Sequence, residues 1–257
     1  PTIKRLKSLR EKKHRKREGL FLAEGLRILT EALDSGKTPR MLVVVEDSEL
    51  HPLARKIEAA TVAAGGDVIE TSEAIIAKLS GKSNPQSIIG IYQDHPVPLE
   101  ELDRSSANIW LVAQSLRDPG NLGTILRTGD AVGAGGLILI DDCVDPFSVE
   151  AVRASMGAIF TQKIVQAKWP DFQSWLRSGP GELVGTSLNT ENDYQSVRYN
   201  APTFLLIGNE AQGLPEDYEA ACDTLVKMPM RGKADSLNAA VAASVMAYEV
   251  LNQSRKR

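Results

Sequence analysis

Four short apolar runs constrain this chain most: "IWLVA" (109–113), "GLILI" (136–140), "ELVGTSL" (182–188) and "TFLLIG" (203–208). They are apolar along their length rather than alternating, the pattern of strands buried on both faces, and the segments between them have helical length. That alternation predicts a parallel sheet covered by helices, with ligands at the carboxyl ends of its strands. Three stretches in this half couple a strand to a loop of glycine, asparagine and charge: "RDPGNLGTILRTGDAVGAGG" (117–136), "LLIGNEAQGLP" (205–215) and "MPMRGKADSLNAAVAASVMAYEV" (228–250). In the first, Asn121 is placed to cap a helix that carries Arg127. In the third, an alanine-rich helix is expected over 235–250, capped by Ser236. Glycine at such strand ends lets backbone approach a ligand, and free amides can then read a polar edge without a side chain.

A length of 257 residues suits two unequal domains. Before the apolar runs, "GLFLAEGLRILTEALDSG" sets Phe21, Leu22, Leu26, Leu29 and Leu33 at helical spacing, with Ser35-Gly36 as a stop. Short strands are expected at 41–46, 67–70 and 87–92 and helices at 52–64 and 72–79, which makes a small α/β domain. "QDHPVPLEELDRSSAN" (93–108), with two prolines and little periodicity, reads as a connection. The expected organisation is a basic arm over 1–17, the small domain over 18–93, a linker over 94–106 and the larger domain over 107–257.

The net charge of −3 argues against nucleic acid until its distribution is considered. The first seventeen residues hold nine cations against Glu11 alone, so this arm carries +8 and the rest of the chain −11. Lys4, Arg5, Lys12, Lys13, Arg15, Lys16 and Arg17 are therefore candidate contacts to RNA phosphates, where neutralisation releases counterions. So dense a charge run is expected to be mobile without a partner.

Other chemistries are excluded by what is missing. "GKS" (81–83) has Ile76 where a phosphate-binding loop needs glycine, and "GAGG" (133–136) does not complete a dinucleotide fingerprint. His14, His51 and His95 lie away from any carboxylate or cysteine pattern suited to a metal, so no metal is expected. No run approaches a membrane span and no secretory leader is evident, so Cys143 and Cys222 are expected to be reduced thiols in a cytoplasmic protein.

The three loop stretches, in their order and spacing, resemble the motifs of the SpoU/TrmH branch of the SPOUT RNA 2′-O-methyltransferases: N-L-G-T-I-L-R, L-I-G-N-E-A-Q-G-L and M-P-M-R-G-K-A-D-S-L-N. "VRASMGAIF" (152–160) also looks like a family segment, and the resemblance covers about residues 106–253. The preceding domain resembles the L30e-like RNA-binding module of many members, with "NPQSIIGIY" (84–92) as its closing strand. The sequence departs from the commonest pattern at Gly129-Asp130 and at Ala239-Ala240.

The resemblance implies an α/β fold with a deep trefoil knot in the C-terminal domain, a homodimer, and S-adenosylmethionine as cofactor. It implies methyl transfer to a ribose 2′-hydroxyl in RNA, with 23S ribosomal RNA the expected substrate; transfer RNA, or a non-catalytic role in RNA binding and ribosome assembly, are the alternatives. Arg127 is the implied catalytic residue, with Asn121, Ser236 and Asn238 as polar partners and Glu210 orienting Arg127 or neighbouring amides. The cofactor pocket is implied at Gly208, Met228 and Leu237, with Ile207, Thr186, Ser187 and Leu188 on its rim.

Overall fold

The computed structural model describes residues 2–46 and 49–256. The chain divides into two compact units, one formed by Pro1–His95 with Asp145–Thr161 and the other by Pro96–Val144 with Gln162–Arg257.

The first unit begins with helices α1 (Thr2–Ser8) and α2 (Lys12–Glu18), then strand β1 (Leu20–Glu24), α3 (Leu26–Asp34), β2 (Met41–Val45), α4 (Pro52–Ala63), β3 (Asp67–Thr71), α5 (Glu73–Ser80) and β4 (Ile88–Gln93). Its sheet has the order β1-β4-β2-β3, with β4 antiparallel to both neighbours and β2 parallel to β3. Phe21 and Leu22, expected in a helix, lie in β1 opposite Tyr92 and Ile91. Gly25 causes the difference: its φ of +104° is open to glycine and breaks the apparent helical run into a strand and α3.

The amino-terminal arm is also corrected. Leu6 and Leu9 are fully buried among Leu22, Ile76, Leu79 and Ile89, so residues 2–18 are helices packed on the unit rather than a free tail. Arg15 is no phosphate contact: its guanidinium is buried, donates to the carbonyls of Leu9 and Arg10 at 2.9 and 2.7 Å, and pairs with Asp145 at 2.8 Å.

The second unit runs β5 (Ile109–Gln114), α6 (Pro119–Val132) and β6 (Gly136–Ile140). The chain then returns to the first unit for α7 (Val149–Ser155) and α8 (Ala158–Thr161). There Phe147 and Phe160 pack on Phe21 at centroid distances of 5.0 and 5.8 Å, which explains why a segment of the larger sequence domain belongs to the smaller unit. Back in the second unit come β7 (Lys163–Ala167), α9 (Trp169–Arg177), β8 (Glu182–Thr186), β9 (Thr203–Ile207), α10 (Glu216–Ala221), β10 (Thr224–Val226) and the long α11 (Ala239–Arg255).

All six strands are parallel, in the order β10-β8-β9-β5-β6-β7. The four apolar runs form β5, β6, β8 and β9, while β7 and β10 are additional edge strands. The expected linker is partly built into this unit. Pro96 bridges Ile164, Val97 N–H donates to the Ile164 carbonyl, and Leu99 and Leu102 enter the core with Trp110, Phe172 and Phe204. No helix of the described residues is long and apolar enough to cross a membrane.

Removing one member of a buried ion pair strands the other, at a cost of about 3 kcal/mol or more. Arg15→Ala is therefore expected to lower unfolding stability by roughly that much, while exposed Lys16→Ala changes it by less than about 0.5 kcal/mol. Urea unfolding of the two variants checks this, and equal small effects would show that Arg15 is not part of the packed structure.

Candidate active site

Parallel strands deliver their following loops to one edge, and here the exits of β8, β9 and β10 enclose a cavity of about 400 Å³. After β9 the chain turns sharply. Asn209 and Gly213 exchange backbone hydrogen bonds, and the Asn209 side-chain oxygen accepts from the amides of Ala211 and Gln212 at 2.9 and 3.1 Å. A side chain at Gly208 would place its first carbon 2.5 Å from the Gly213 carbonyl carbon, so glycine is required there by the turn's own backbone.

This turn aims Glu210 at the start of α6. Its carboxylate accepts from the Asp118 amide at 3.0 Å, the Arg117 amide at 3.2 Å and the Asn121 side-chain amide at 3.3 Å. Burial pushes the Glu210 carboxyl up, but the amides of Asp118, Glu210 and Arg117 and the Asn121 side chain together hold it below its ordinary value. Asn121 then passes the contact on: its oxygen accepts from the Asn238 side chain at 2.9 Å, and the Asn238 oxygen caps α11 by accepting from Ala240 and Val241. Three loops far apart in sequence are thus joined through Glu210, Asn121 and Asn238.

Both helix caps differ from expectation. Asp118, not Asn121, caps α6, accepting from the Asn121 amide at 2.7 Å with Pro119 in the first turn. Asn238, not Ser236, caps α11. In each case the cap lies two or three residues from the expected one, and the displaced residue is free for other contacts: Asn121 for the network, and Ser236 for Asp235 and the cavity wall.

Thr186, Ser187, Leu188, Ile207, Gly208, Met228 and Leu237 all line the cavity, together with Glu210 and Ser236. Arg127 projects from α6 to solvent with no hydrogen bond or ion pair among the described residues, so Glu210 orients backbone amides here and not the guanidinium. Its neighbour Thr128 bonds Ser244 across α6 and α11 at 2.7 Å. Gly129, one of the departures from the common pattern, is explained by Gln162, whose side-chain oxygen would lie 2.8 Å from any added side chain. In the first unit, Lys4, Arg5, Lys12, Lys13, Lys16 and Arg17 are exposed. Lys4, Arg5 and Arg17 border a wide cleft of about 910 Å³ with Lys7, Arg10 and His14. Sequence reading missed Asp118, whose Asp-Pro start is a helix signal, and Glu219, Asn189 and Asp235 on the cavity wall, which carry none.

A family profile for the SpoU rRNA methylases matches residues 108–248, and an MRM3-like substrate-binding domain matches residues 1–90. The chain belongs to the SpoU rRNA methylase family. It is 32% identical to a 23S rRNA (uridine(2479)-2′-O)-methyltransferase of Streptomyces viridochromogenes over 93% of this chain and 85% of that one. It is 28% identical to the 23S rRNA (guanosine(2553)-2′-O)-methyltransferase RlmP of Bacillus subtilis over 96% of this chain and 95% of the relative. Among solved structures, an AdoMet-bound rRNA methyltransferase from Sinorhizobium meliloti superposes with a TM-score of 0.91 at 38% identity, covering 98% of this chain and 94% of that one. The resemblance read from the three motifs, and the parallel α/β fold expected from the apolar runs, are therefore borne out.

Because the folded Glu210 carboxyl sits below its unfolded value of about 4.3, its contribution is present above that pH and is lost as pH falls through the folded value. Glu210→Gln is expected to be less stable than wild type at pH 7, with the gap closing below about pH 4. Denaturant midpoints of both proteins across pH check this; a gap independent of pH would remove the carboxylate's charge from the explanation.

Proposed function

We propose that this protein methylates a ribose 2′-hydroxyl in ribosomal RNA, most specifically 23S RNA, using S-adenosylmethionine held in the cavity at the ends of β8, β9 and β10. The observation that carries this reading is the linkage of that cavity, through Glu210, Asn121 and Asn238, to the helix bearing Arg127. The cavity fits such a cofactor. Its volume is in the range of small-molecule sites, Ile207, Leu214, Val226 and Ala239 give it apolar walls, and Glu210, Glu219 and Asp235 give it an acidic side suited to a cationic ligand.

The bound cofactor would supply an electrophilic methyl group on a sulfonium. The protein's task is then to hold a weak nucleophile in line and to stabilise the charge that develops as its proton leaves. A guanidinium is a permanent cation near neutral pH, so Arg127 acts by binding the substrate's phosphate and the developing oxyanion, while the hydroxyl proton passes to solvent water and S-adenosylhomocysteine leaves as the C–S bond breaks. Asn121, Ser236 and Asn238 can each donate and accept, and they orient the ribose, while Glu210 keeps the α6 start in register with the cavity.

Ribosomal RNA is favoured over transfer RNA because two relatives aligned along both units are named 23S rRNA methyltransferases and a third is named for tRNA or rRNA, whereas a neighbour described for tRNA methylation covers 58% of this chain. The exposed cations of α1 and α2 supply phosphate contacts for such a folded RNA. On α11, Val241 and Tyr248 are 47% and 52% exposed and one heptad apart, an apolar face that supports a homodimer packed through this helix. A trefoil knot formed by the passage through residues 228–238 and a cytoplasmic location complete it.

Arg127→Ala is expected to reduce kcat/KM for methyl transfer from labelled S-adenosylmethionine to ribosomal RNA by about 100-fold or more, with cofactor affinity within about twofold of wild type. Label is expected at a ribose 2′-oxygen of 23S RNA taken from cells that lack the enzyme. Unchanged transfer by the variant would remove Arg127 from the mechanism, and label confined to small RNA would reassign the substrate.

A further inference from the structure

Glu219, on α10, belongs to the cavity wall but to none of the three motifs. The Ser187 hydroxyl donates to one of its oxygens and the Asn189 side-chain amide to the other at 3.1 Å. Ser187 in turn accepts from the Asn189 amide at 2.9 Å, and its own N–H donates to the Val226 carbonyl. The loop leaving β8 is therefore folded around this carboxylate.

The other charged groups on the wall are committed elsewhere. Glu210 takes the amides at the start of α6, Asp235 accepts from Ser236 at 3.1 Å, and Lys227 pairs with Glu191 at 3.0 Å. Glu219 is held by the Ser187 hydroxyl and the Asn189 side-chain amide, one to each oxygen, and it joins no ion pair among the described residues. A carboxylate offers about four acceptor positions, so two good donors leave capacity directed at whatever enters the cavity. Beside it, Leu188 is 65% exposed although it lines the cavity, an apolar surface that a flat ring system would cover.

A vicinal diol is the neutral group that best uses two carboxylate oxygens at once, and an acidic side chain reading ribose hydroxyls is a recurring solution for adenosine ligands. We propose that Glu219 is the specificity-determining acceptor for the ribose diol of the cofactor's adenosyl half, and that it couples this recognition to the order of the Ser187–Asn189 loop. The inference rests on the reading of this cavity as the S-adenosylmethionine site. It assigns to the carboxylate a ligand group, the diol, that is distinct from the sulfonium and the ammonium.

Calorimetric titration of wild type, Glu219→Gln and Ser187→Ala with three probes separates the cases: S-adenosylmethionine, S-adenosylhomocysteine, and S-adenosylhomocysteine lacking both ribose hydroxyls. Replacing a charged acceptor by an amide is expected to weaken the first two probes alike, by about tenfold. The dideoxy probe is expected to bind wild type weakly and to change by less than about twofold on Glu219→Gln. Ser187→Ala, which loosens the loop but keeps the carboxylate, is expected to preserve the preference for the diol. Thermal melting confirms that each variant is folded.

Equal losses for the parent and dideoxy probes would reduce Glu219 to a loop anchor and overturn the proposal. A loss for S-adenosylmethionine alone would assign the carboxylate to the sulfonium and overturn it equally. If wild type binds neither S-adenosylmethionine nor S-adenosylhomocysteine, the reading of the cavity itself fails, and this inference falls with it.

Discussion

The Glu210 carboxylate is the interaction on which the site depends. It sits on a turn that only glycine at position 208 permits, and it takes the two backbone amides that open α6. Without it, those amides and the Asn121 side chain would lack their common acceptor, and α6 would lose its fixed relation to the β9 exit. One exposed anion thus joins three loops, because Asn121, which donates to it, also accepts from Asn238, and Asn238 caps α11.

Packing below the network makes this possible. The two helices it joins, α6 and α11, pack on each other with Thr128 and Ser244 bonded between them, and the buried side chains Ala240, Ala243 and Ala247 along α11 are all small. Their contact fixes the spacing between Asn121 and Asn238 to a hydrogen-bond length. The parallel sheet then dictates where the chemistry sits, since every strand carries its following loop to the same edge. The alanine-rich stretch after a Pro/Gly loop has its explanation here: the loop walls the cavity, and the helix needs small side chains to approach α6.

What the sequence disclosed followed the same physics. Strands β5, β6, β8 and β9 were legible because burial on both faces leaves an uninterrupted apolar run, whereas β7, with Lys163 and Gln166, and three-residue β10 carry no such mark. Leu20–Ala23 are all buried and therefore resemble a helix face until the backbone at Gly25 is known. Leu6 and Leu9 were hidden among cations, and nothing near Arg15 signals Asp145, 130 residues away. The seven pocket residues were reached through motif resemblance, which records backbone loops well. Glu219 escaped because its role is defined by Ser187 and Asn189, partners that only the juxtaposition of α10 and β8 supplies.

In the proposed reaction the Glu210–Asn121–Asn238 network acts as one unit that couples the cavity to the helix bearing Arg127. A double-mutant cycle with Asn121→Ala and Asn238→Ala, read as kcat/KM for methyl transfer to ribosomal RNA, tests it most directly. Strong non-additivity is expected: the double variant should be no worse than the poorer single one by more than about twofold. Independent, multiplying losses from the two substitutions would contradict it and leave the three loops as separate contributors.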